Sequence, residues 1–299
     1  MTKPFRAANV TSKDLDPVAE VSRKEILSRA SLWMLALCIF LSIGFALHYR
    51  AEVGKQTALQ LASSWQSVNL STQIIANVIY ETFSDLGYLA RQNELSELLH
   101  AGGAEAGRWL ELEYLAFLEN KRIYDQARFI NADGMEVVRV NFYDGNPAIV
   151  PPHRLQDKSS RYYFQQTMDL EPGQIYLSLF DLNMEDCVVE SPIKPVLRIS
   201  TPVSDSTGQK RGMVILNYLG EHLIDKINET GKTTGFNTWL LNDRGYWLKG
   251  PSKDHEWGFM YTEGHEHTVT NQYPQAWQHI SSSEDGQFFA EGSLFTFAK

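Results

Sequence analysis

Between Ala30 and Leu47 the chain reads A-S-L-W-M-L-A-L-C-I-F-L-S-I-G-F-A-L, eighteen residues without a charge. No other stretch narrows the outcome so much. A bilayer core of ~30 Å asks for about twenty helical residues, and with His48 and Tyr49 the run meets that length. Its apolar side chains cover every face of a helix, whereas a surface helix shows one apolar stripe. Lys3, Arg6, Lys13, Arg23, Lys24 and Arg29 precede the run, and only Arg50 and Lys55 closely follow it. The positive-inside rule therefore places residues 1–29 in the cytoplasm and everything past Tyr49 outside. A cleaved signal peptide is the rival reading, but the charged segment is long for one and no clean A-x-A site follows Phe45.

The rest of the chain is built for packing. At 299 residues it has room for more than one domain, and 43% hydrophobic with 12% aromatic residues excludes general disorder. A net charge of -9 and the lack of a basic stripe exclude a nucleic-acid surface. Cys38 lies inside the apolar run and Cys187 stands alone, so no disulfide framework is expected.

From Glu52 to His100 there is no proline, and Ile75, Ile79, Leu86, Leu89 and Ala90 recur at helical spacing, which predicts one long stalk helix. Gly102-Gly103 breaks it, and Glu105–Asn120 is predicted as a second helix with Trp109, Leu112 and Ala116 on one side. Strands are then predicted at Tyr124–Ile130 and Met135–Asn141, joined by the Asn131-Ala132-Asp133-Gly134 turn. A loop bearing Pro147, Pro151 and Pro152 leads to a short helix with Arg161-Tyr162-Tyr163-Phe164. Three more strands, Gln174–Leu179, Val196–Pro202 and Gly212–Tyr218, complete an α+β plan of PAS-like type, the last two joined through Asp205-Ser206-Thr207-Gly208. After a connecting helix at Glu221–Glu229 the hairpin device returns. Leu241-Asn242-x-x-Gly245 matches Ile130-Asn131-x-x-Gly134, which suggests repeated modules. Gln287–Ala290 and Leu294–Ala298 supply two further strands, so the second module is one strand short at Lys299.

The stretch L-Q-D-K-S-S-R-Y-Y-F followed by I-Y-L-S-L-F-D-L-N, residues 155–183, mixes arginine, aromatic rings, serine and aspartate. Apolar walls with a few convergent polar groups are what a small-molecule pocket needs. Arg161 and Arg198 are the candidates to hold a carboxylate or phosphate, because a planar guanidinium makes two parallel hydrogen bonds. Arg198 has alternatives: a buried pair with Asp181 or Glu185, or a solvated outer face. Of Tyr162 and Tyr163, one is expected to pack, since adjacent helical residues diverge. Tyr176 and Ser178 alternate onto one strand face, and Asp181 and Asn183 follow at the rim. His255, His265 and His267 with Glu256 and Glu266 do not reproduce H-E-x-x-H spacing and are read as polar loop residues, not metal ligands. No catalytic nucleophile, phosphate loop or carboxylate pair has a convincing context, so no catalytic residue and no cofactor is expected.

An N-terminal anchor, a long helix and two PAS-like modules resemble the double Cache sensor domains that precede bacterial sensor histidine kinases, diguanylate cyclases and chemoreceptors. The segments that carry the resemblance are Y-D-Q-A-R-F-I-N-A-D-G-M-E-V-V-R-V-N, L-Q-D-K-S-S-R-Y-Y-F, P-V-L-R-I-S-T-P-V and G-M-V-I-L-N-Y. L-L-N-D-R-G-Y-W-L-K-G-P and E-W-G-F-M add to it in the second module. Amino-acid-binding members of the family carry an Arg-x-Trp-Tyr motif for the ligand carboxylate and a later strand aspartate for its amine. Arg161 matches the first position, and Tyr163 and Phe164 stand where Trp and Tyr are expected. Asn217 stands where the aspartate is expected; an amide accepts a hydrogen bond but offers no charge against an ammonium.

The expected organisation is a cytoplasmic tail (1–29), a transmembrane helix (30–49) and stalk and packing helices (50–120). A membrane-distal module (121–220) and a membrane-proximal module (221–299, incomplete at its C-terminus) follow, both with antiparallel sheets. The expected function is extracytoplasmic sensing of a small anionic molecule by a receptor anchored in the bacterial inner membrane. A homodimer is the expected assembly, with any kinase or cyclase output beyond this chain. The alternative is a membrane-anchored interaction or structural protein whose pocket is vestigial.

Overall fold

The computed structural model describes residues 23–143, 145–185 and 188–299, so Lys3, Arg6, Lys13 and Cys187 lie outside the described residues. The chain divides into two compact units, Met1–Gln60 and Leu61–Lys299.

Helix α1 runs Arg23–Leu89 without a proline. Its hydroxyl side chains bond back to the preceding turn, as Thr57 does to the Val53 carbonyl (2.9 Å) and Ser71 to that of Ser67 (3.0 Å). Among the described residues it is the one helix long and apolar enough to cross a membrane, and residues 30–47 are exposed throughout. The predicted stalk helix to His100 is corrected: α1 ends at Leu89, and α2 (Asn93–Ala101) begins after Gln92, whose backbone is extended. Neither glycine nor proline marks this break. It lets Leu95 enter the same core as Leu86 and Leu89, a tertiary demand that periodicity does not reveal. Helix α3 spans Ala104–Lys121.

Seven strands form one antiparallel sheet: β1 (Tyr124–Asn131), β2 (Glu136–Tyr143), β3 (Asn146–Ile149), β4 (Tyr176–Leu177), β5 (Asp181–Leu182), β8 (Pro195–Ser204) and β9 (Lys210–Leu219). Their order is β3-β2-β1-β9-β8-β4, with β5 also paired to β8. Strand β3 falls where a proline loop was predicted. It tolerates Pro147 because it is an edge strand, where a missing N–H costs no ladder bond. The single strand predicted over Gln174–Leu179 is shorter, with only Tyr176 and Leu177 in register with Ser200 and Ile199. Between β5 and β8, β6 (Met184–Glu185) and β7 (Val188–Val189) make a small ladder.

The sheet's two faces differ in chemistry because neighbouring residues alternate sides. Ala127, Phe129, Val138, Val140, Leu197, Ile199, Val214 and Leu216 pack with α1 and α3 into the main core, which includes Leu86, Leu110, Tyr114 and Leu118. Each fully buried leucine there contributes about 1.5–3 kcal/mol. Beneath it, Tyr124 donates to Asp85 (2.7 Å), and Lys121 pairs with the same carboxylate (2.7 Å), fastening α1 to α3 and β1. On the opposite face, helix α4 (Tyr162–Met168) lies over β8 and β9, with Thr167 and Ser200 hydroxyls 2.6 Å apart.

Two turns share one geometry. Asn131 Oδ1 accepts from the backbone N–H groups of Asp133 (3.1 Å) and Met135 (2.9 Å), before Gly134 at φ 89°. Asn242 Oδ1 accepts from those of Arg244 (3.0 Å) and Tyr246 (2.9 Å), before Gly245 at φ 80°. Each is an Asx turn closed by a left-handed glycine.

After α5 (Gly220–Thr234) come β10 (Leu240–Leu241), β11 (Trp247–Lys249), α6 (Val269–Gln272), α7 (Pro274–Ser282), β12 (Asp285–Ala290) and β13 (Ser293–Ala298). The expectation of a sheet in this module is only partly met: β10-β11 and β12-β13 are separate two-stranded ladders. Among the described residues, nothing bridges β10 and β13 as β9 bridges β1 and β8. A cavity of about 910 Å³ lies between them, lined by Trp239, Leu241, Leu294 and Phe297. Helices α6 and α7 were not predicted. Their residues mix aromatic and polar types without a clean period, although Pro274 at the first turn of α7 is a start signal.

Candidate functional site: an arginine cluster on one sheet face

The sheet face under α4 carries an unusual load of charge. In β1 and β2, Gln126 is opposite Asn141 and Arg128 is opposite Arg139; in β8 and β9, Arg198 is opposite Asn217. All six are buried, with Arg128 3% and Arg198 4% exposed. A buried cation without partners is costly, so the partners define the site.

Arg198 is held by three side chains. Its Nη1 donates to Asp181 Oδ1 at 2.6 Å and, more weakly, to the Tyr162 hydroxyl at 3.5 Å; its Nη2 donates to Asn183 Oδ1 at 3.2 Å. The buried pair with Asp181, one of the alternatives left open above, is therefore present. Asn183 in turn donates to Glu190 (2.8 Å).

Arg128 is less well satisfied. Its Nη2 donates to Asn217 Oδ1 at 2.9 Å, while Nη1 reaches Glu136 and the Tyr163 hydroxyl only at 3.4 Å. Its Nε is buried with no partner. Glu136 is fully buried and shared, because Arg139 Nη1 also approaches it at 3.6 Å. Its Oε2 further accepts from the Gln156 backbone (3.1 Å).

Arg161 sits just before α4, makes no ion pair among the described residues, and leaves its Nε buried without a partner. The guanidinium carbons of Arg128, Arg161 and Arg198 lie 5.5, 5.9 and 5.9 Å from the centre of the Tyr163 ring. One buried phenol ring thus organises three cations through its π-face.

The electrostatics agree. Burial alone would raise the Tyr163 phenol, but the charges of Arg128 and Lys158 and the Arg128 hydrogen bond outweigh it and pull it below its ordinary value. Burial, which the neighbouring Arg128 charge reinforces, pushes the Lys158 ammonium down. Tyr162, between Asp181 and Arg198, is pushed up to about 12, chiefly by burial, although the Arg198 charge pulls the other way.

The predicted residues fall into three groups. Arg161, Tyr162, Tyr163, Asp181, Asn183, Arg198 and Asn217 converge here. Tyr163 is the packed tyrosine, 2% exposed, and Tyr162 is the open one at 40%. Tyr176 packs at the margin against the cluster of Ile130, Tyr163, Phe164, Met213 and Ile215. Ser178 departs from the expectation: its hydroxyl accepts from the Arg198 backbone N–H (2.9 Å) and donates to the Leu179 carbonyl (2.7 Å). Its backbone N–H still bonds the Arg198 carbonyl (2.9 Å), and it is buried between exposed Leu177 and Leu179, as strand alternation requires. Arg128, Arg139 and Glu136 were missed. For Arg128 and Arg139 the signal was present as polar residues at period two, Gln126/Arg128 and Arg139/Asn141, set against the apolar Ala127, Phe129, Val138 and Val140; Glu136, three residues before Arg139, is out of that phase.

Volume alone would point elsewhere. A cavity of about 1050 Å³ lies by the C-terminal end of α1, near Phe83, Gln92 and Val203. Neither it nor the cavity beside β13 brings comparable charge together. The histidines form no metal-binding group among the described residues; His255 and His267 rings lie 4.5 Å apart, and His255 stacks on Trp247.

A family model for the sensor domain of bacterial histidine kinases matches residues 60–299. The chain belongs to this family. Two solved structures share 26% identity and a TM-score of 0.66 with this sensor domain. One is a domain of a sensory box/GGDEF family protein from Vibrio parahaemolyticus, matched over 82% of this chain and 89% of the other. The second is the extracellular domain assigned to the histidine kinase vpHK1S-Z8, matched over 82% and 84%. The ligand-binding domain of the Campylobacter jejuni chemoreceptor Tlp3, solved with L-norvaline, has the same fold at 9% identity and a TM-score of 0.56, over 78% and 83%. No curated protein matches the chain. The family is one of sensor domains of bacterial histidine kinases.

Proposed function

We propose that this sensor domain binds a small carboxylate-bearing anion on the α4 face of residues 121–220, and that the chain is anchored by residues 30–49 in the bacterial inner membrane. The observation that carries the reading is the convergence of Arg128, Arg161 and Arg198 on the Tyr163 ring, with Arg161 in no ion pair among the described residues and its Nε buried without a partner. A carboxylate fits the planar fork of a guanidinium. That a neighbour of the same fold holds an amino acid supports a small-molecule ligand of comparable size. In this reading residues 1–29 are cytoplasmic, residues 50–120 form the stalk and packing helices, and residues 121–220 and 221–299 are the membrane-distal and membrane-proximal modules in the periplasm. The receptor works as a homodimer, and ligand acts only through its differential affinity for two arrangements of the long helix.

One observation favours a second reading. Arg198 is already held by Asp181, Asn183 and Tyr162, as in a pocket filled by its own side chains, which is what an anchored interaction protein would show. A thermal-shift screen of the full chain in detergent against amino acids, carboxylates, purines and amines separates the two. A ligand that binds the folded form alone must raise the melting temperature. A carboxylate hit lost in Arg161→Ala supports the sensor; a folded protein that answers to nothing supports the second reading.

A further inference from the structure

The cavity of about 1050 Å³ at the C-terminal end of α1 has a chemistry of its own. Ile175 and Val203, which line it, pack with the main core, so it lies on the sheet face opposite α4 and the arginine cluster. Two of its lining side chains hold polar atoms that are buried without a partner among the described residues, Gln92 Oε1 and Ser204 Oγ. Gln92 is 7% exposed, and its side chain does not cap α2, the helix it precedes. A buried polar atom left unpaired is costly, and an apolar side chain of the same shape would avoid that cost. The free fold therefore makes no use of the Gln92 amide. Aromatic rings stand beside these atoms. Phe83 packs partly into the core, and Tyr88 stacks on Phe117 (centroids 6.5 Å apart, 22° between planes) yet stays 60% exposed. Tyr88 is thus a ring held in place with open surface. Arg91, Glu94 and Glu113 complete the lining, and none of them makes an ion pair among the described residues.

From this we infer that the cavity is a second ligand site, for a neutral polyhydroxylated molecule of sugar type. An anion would meet Glu94 and Glu113, and a cation would meet Arg91. A ring bearing several hydroxyls is neutral and offers donors and acceptors together. One hydroxyl donates to Gln92 Oε1, and another pairs with the Ser204 hydroxyl, which can donate or accept. Neighbouring hydroxyls suit the planar Arg91 and carboxylate groups, and the C–H face of the ring lies on the aromatic side chains. The volume is that of a small-molecule pocket, with room for a mono- or disaccharide. Water could satisfy the two unpaired atoms but would leave the rings bare. This inference does not rest on the anionic reading above, because the two sites occupy opposite faces of the sheet. Its occupant would sit at the break between α1 and α2, against the end of the long helix.

The test is calorimetric titration of the full chain, in a detergent without a sugar headgroup, with glucose, galactose, N-acetylglucosamine and maltose. Choline and succinate serve as the cationic and anionic probes. At least one of the four sugars should bind. Gln92→Leu should weaken that sugar by about three- to tenfold, the worth of one neutral hydrogen bond, and Ser204→Ala by a similar factor. The melting temperature of free Gln92→Leu should equal or exceed that of the wild type, because the unpaired atom is gone; a merely structural glutamine would lower it. Arg161→Ala should leave the sugar affinity unchanged. If none of the four sugars binds, the cavity holds water only and the inference falls, whatever succinate does at the arginine cluster. Sugar binding that survives both Gln92→Leu and Ser204→Ala but is lost in Arg161→Ala belongs to the α4 face and overturns the second site. Choline binding that Gln92→Leu removes, with no sugar bound, overturns the neutral ligand in favour of a cation.

Discussion

Glu136→Gln tests the cluster most sharply, because it changes one charge at almost constant volume. Glu136 is fully buried and approaches both Arg128 (3.4 Å) and Arg139 (3.6 Å). Removing one partner of a buried ion pair costs about 3–5 kcal/mol, because the other charge is left uncompensated. The lower end applies, since glutamine keeps an acceptor oxygen and Arg139 also bonds Asn141 at 2.8 Å. A loss of about 3 kcal/mol corresponds to roughly 6–12 °C in melting temperature for a unit of this size. The same change removes a negative charge from the site, so a bound anion should recover part of the loss and bind more tightly than to the wild type. Thermal melts of the full chain in detergent, with and without succinate, read both effects. A variant within 1 kcal/mol of the wild type, or one that binds the anion more weakly, would refute the view that Glu136 restrains an excess of cations.

Alkaline pH should also weaken the fold. Burial pushes the Tyr218 phenol up to about 12, and Tyr124 rises further through burial and its bond to Asp85. Both folded values exceed the unfolded value near 10, so this stabilisation is intact below about pH 10 and is lost as pH rises above it. The slope is at most about 1.4 kcal/mol per unit for each phenol. Urea midpoints at pH 9, 10 and 11 should fall in the wild type and fall less in Tyr218→Phe; flat midpoints would count against it. Tyr124→Phe should cost about 1.5–3 kcal/mol at neutral pH, the worth of a hydrogen bond to a charged group. A loss under 0.5 kcal/mol in urea unfolding would mean that Lys121 alone holds Asp85. At Gly134, φ is 89° and an added Cβ would stand 2.5 Å from Ser159 Cα. Gly134→Ala should therefore cost upwards of about 1–3 kcal/mol, and an unchanged melting temperature would disprove the strain.

What could be read from residues alone was whatever local chemistry decides. Eighteen uncharged residues dictate an apolar helix, and Asn131 and Gly134, like Asn242 and Gly245, specify their turns through one side-chain oxygen and one left-handed backbone position. Alternation in β8 and β9 places Arg198 and Asn217 on one side whatever they later meet. Arg161 and the tyrosines after it were visible as a pocket-like mixture for the same reason. Tertiary structure decided the rest, because pairing between distant segments sets it. The break at Gln92 follows from where Leu95 finds its core. Pro147 is tolerated in a strand only because that strand is an edge. Whether Arg128 is solvated or buried depends on Tyr163 of α4, which lies well along the chain from it. Local sequence settles which way a side chain leaves the backbone; only the fold settles which charges then have to share one ring and one carboxylate.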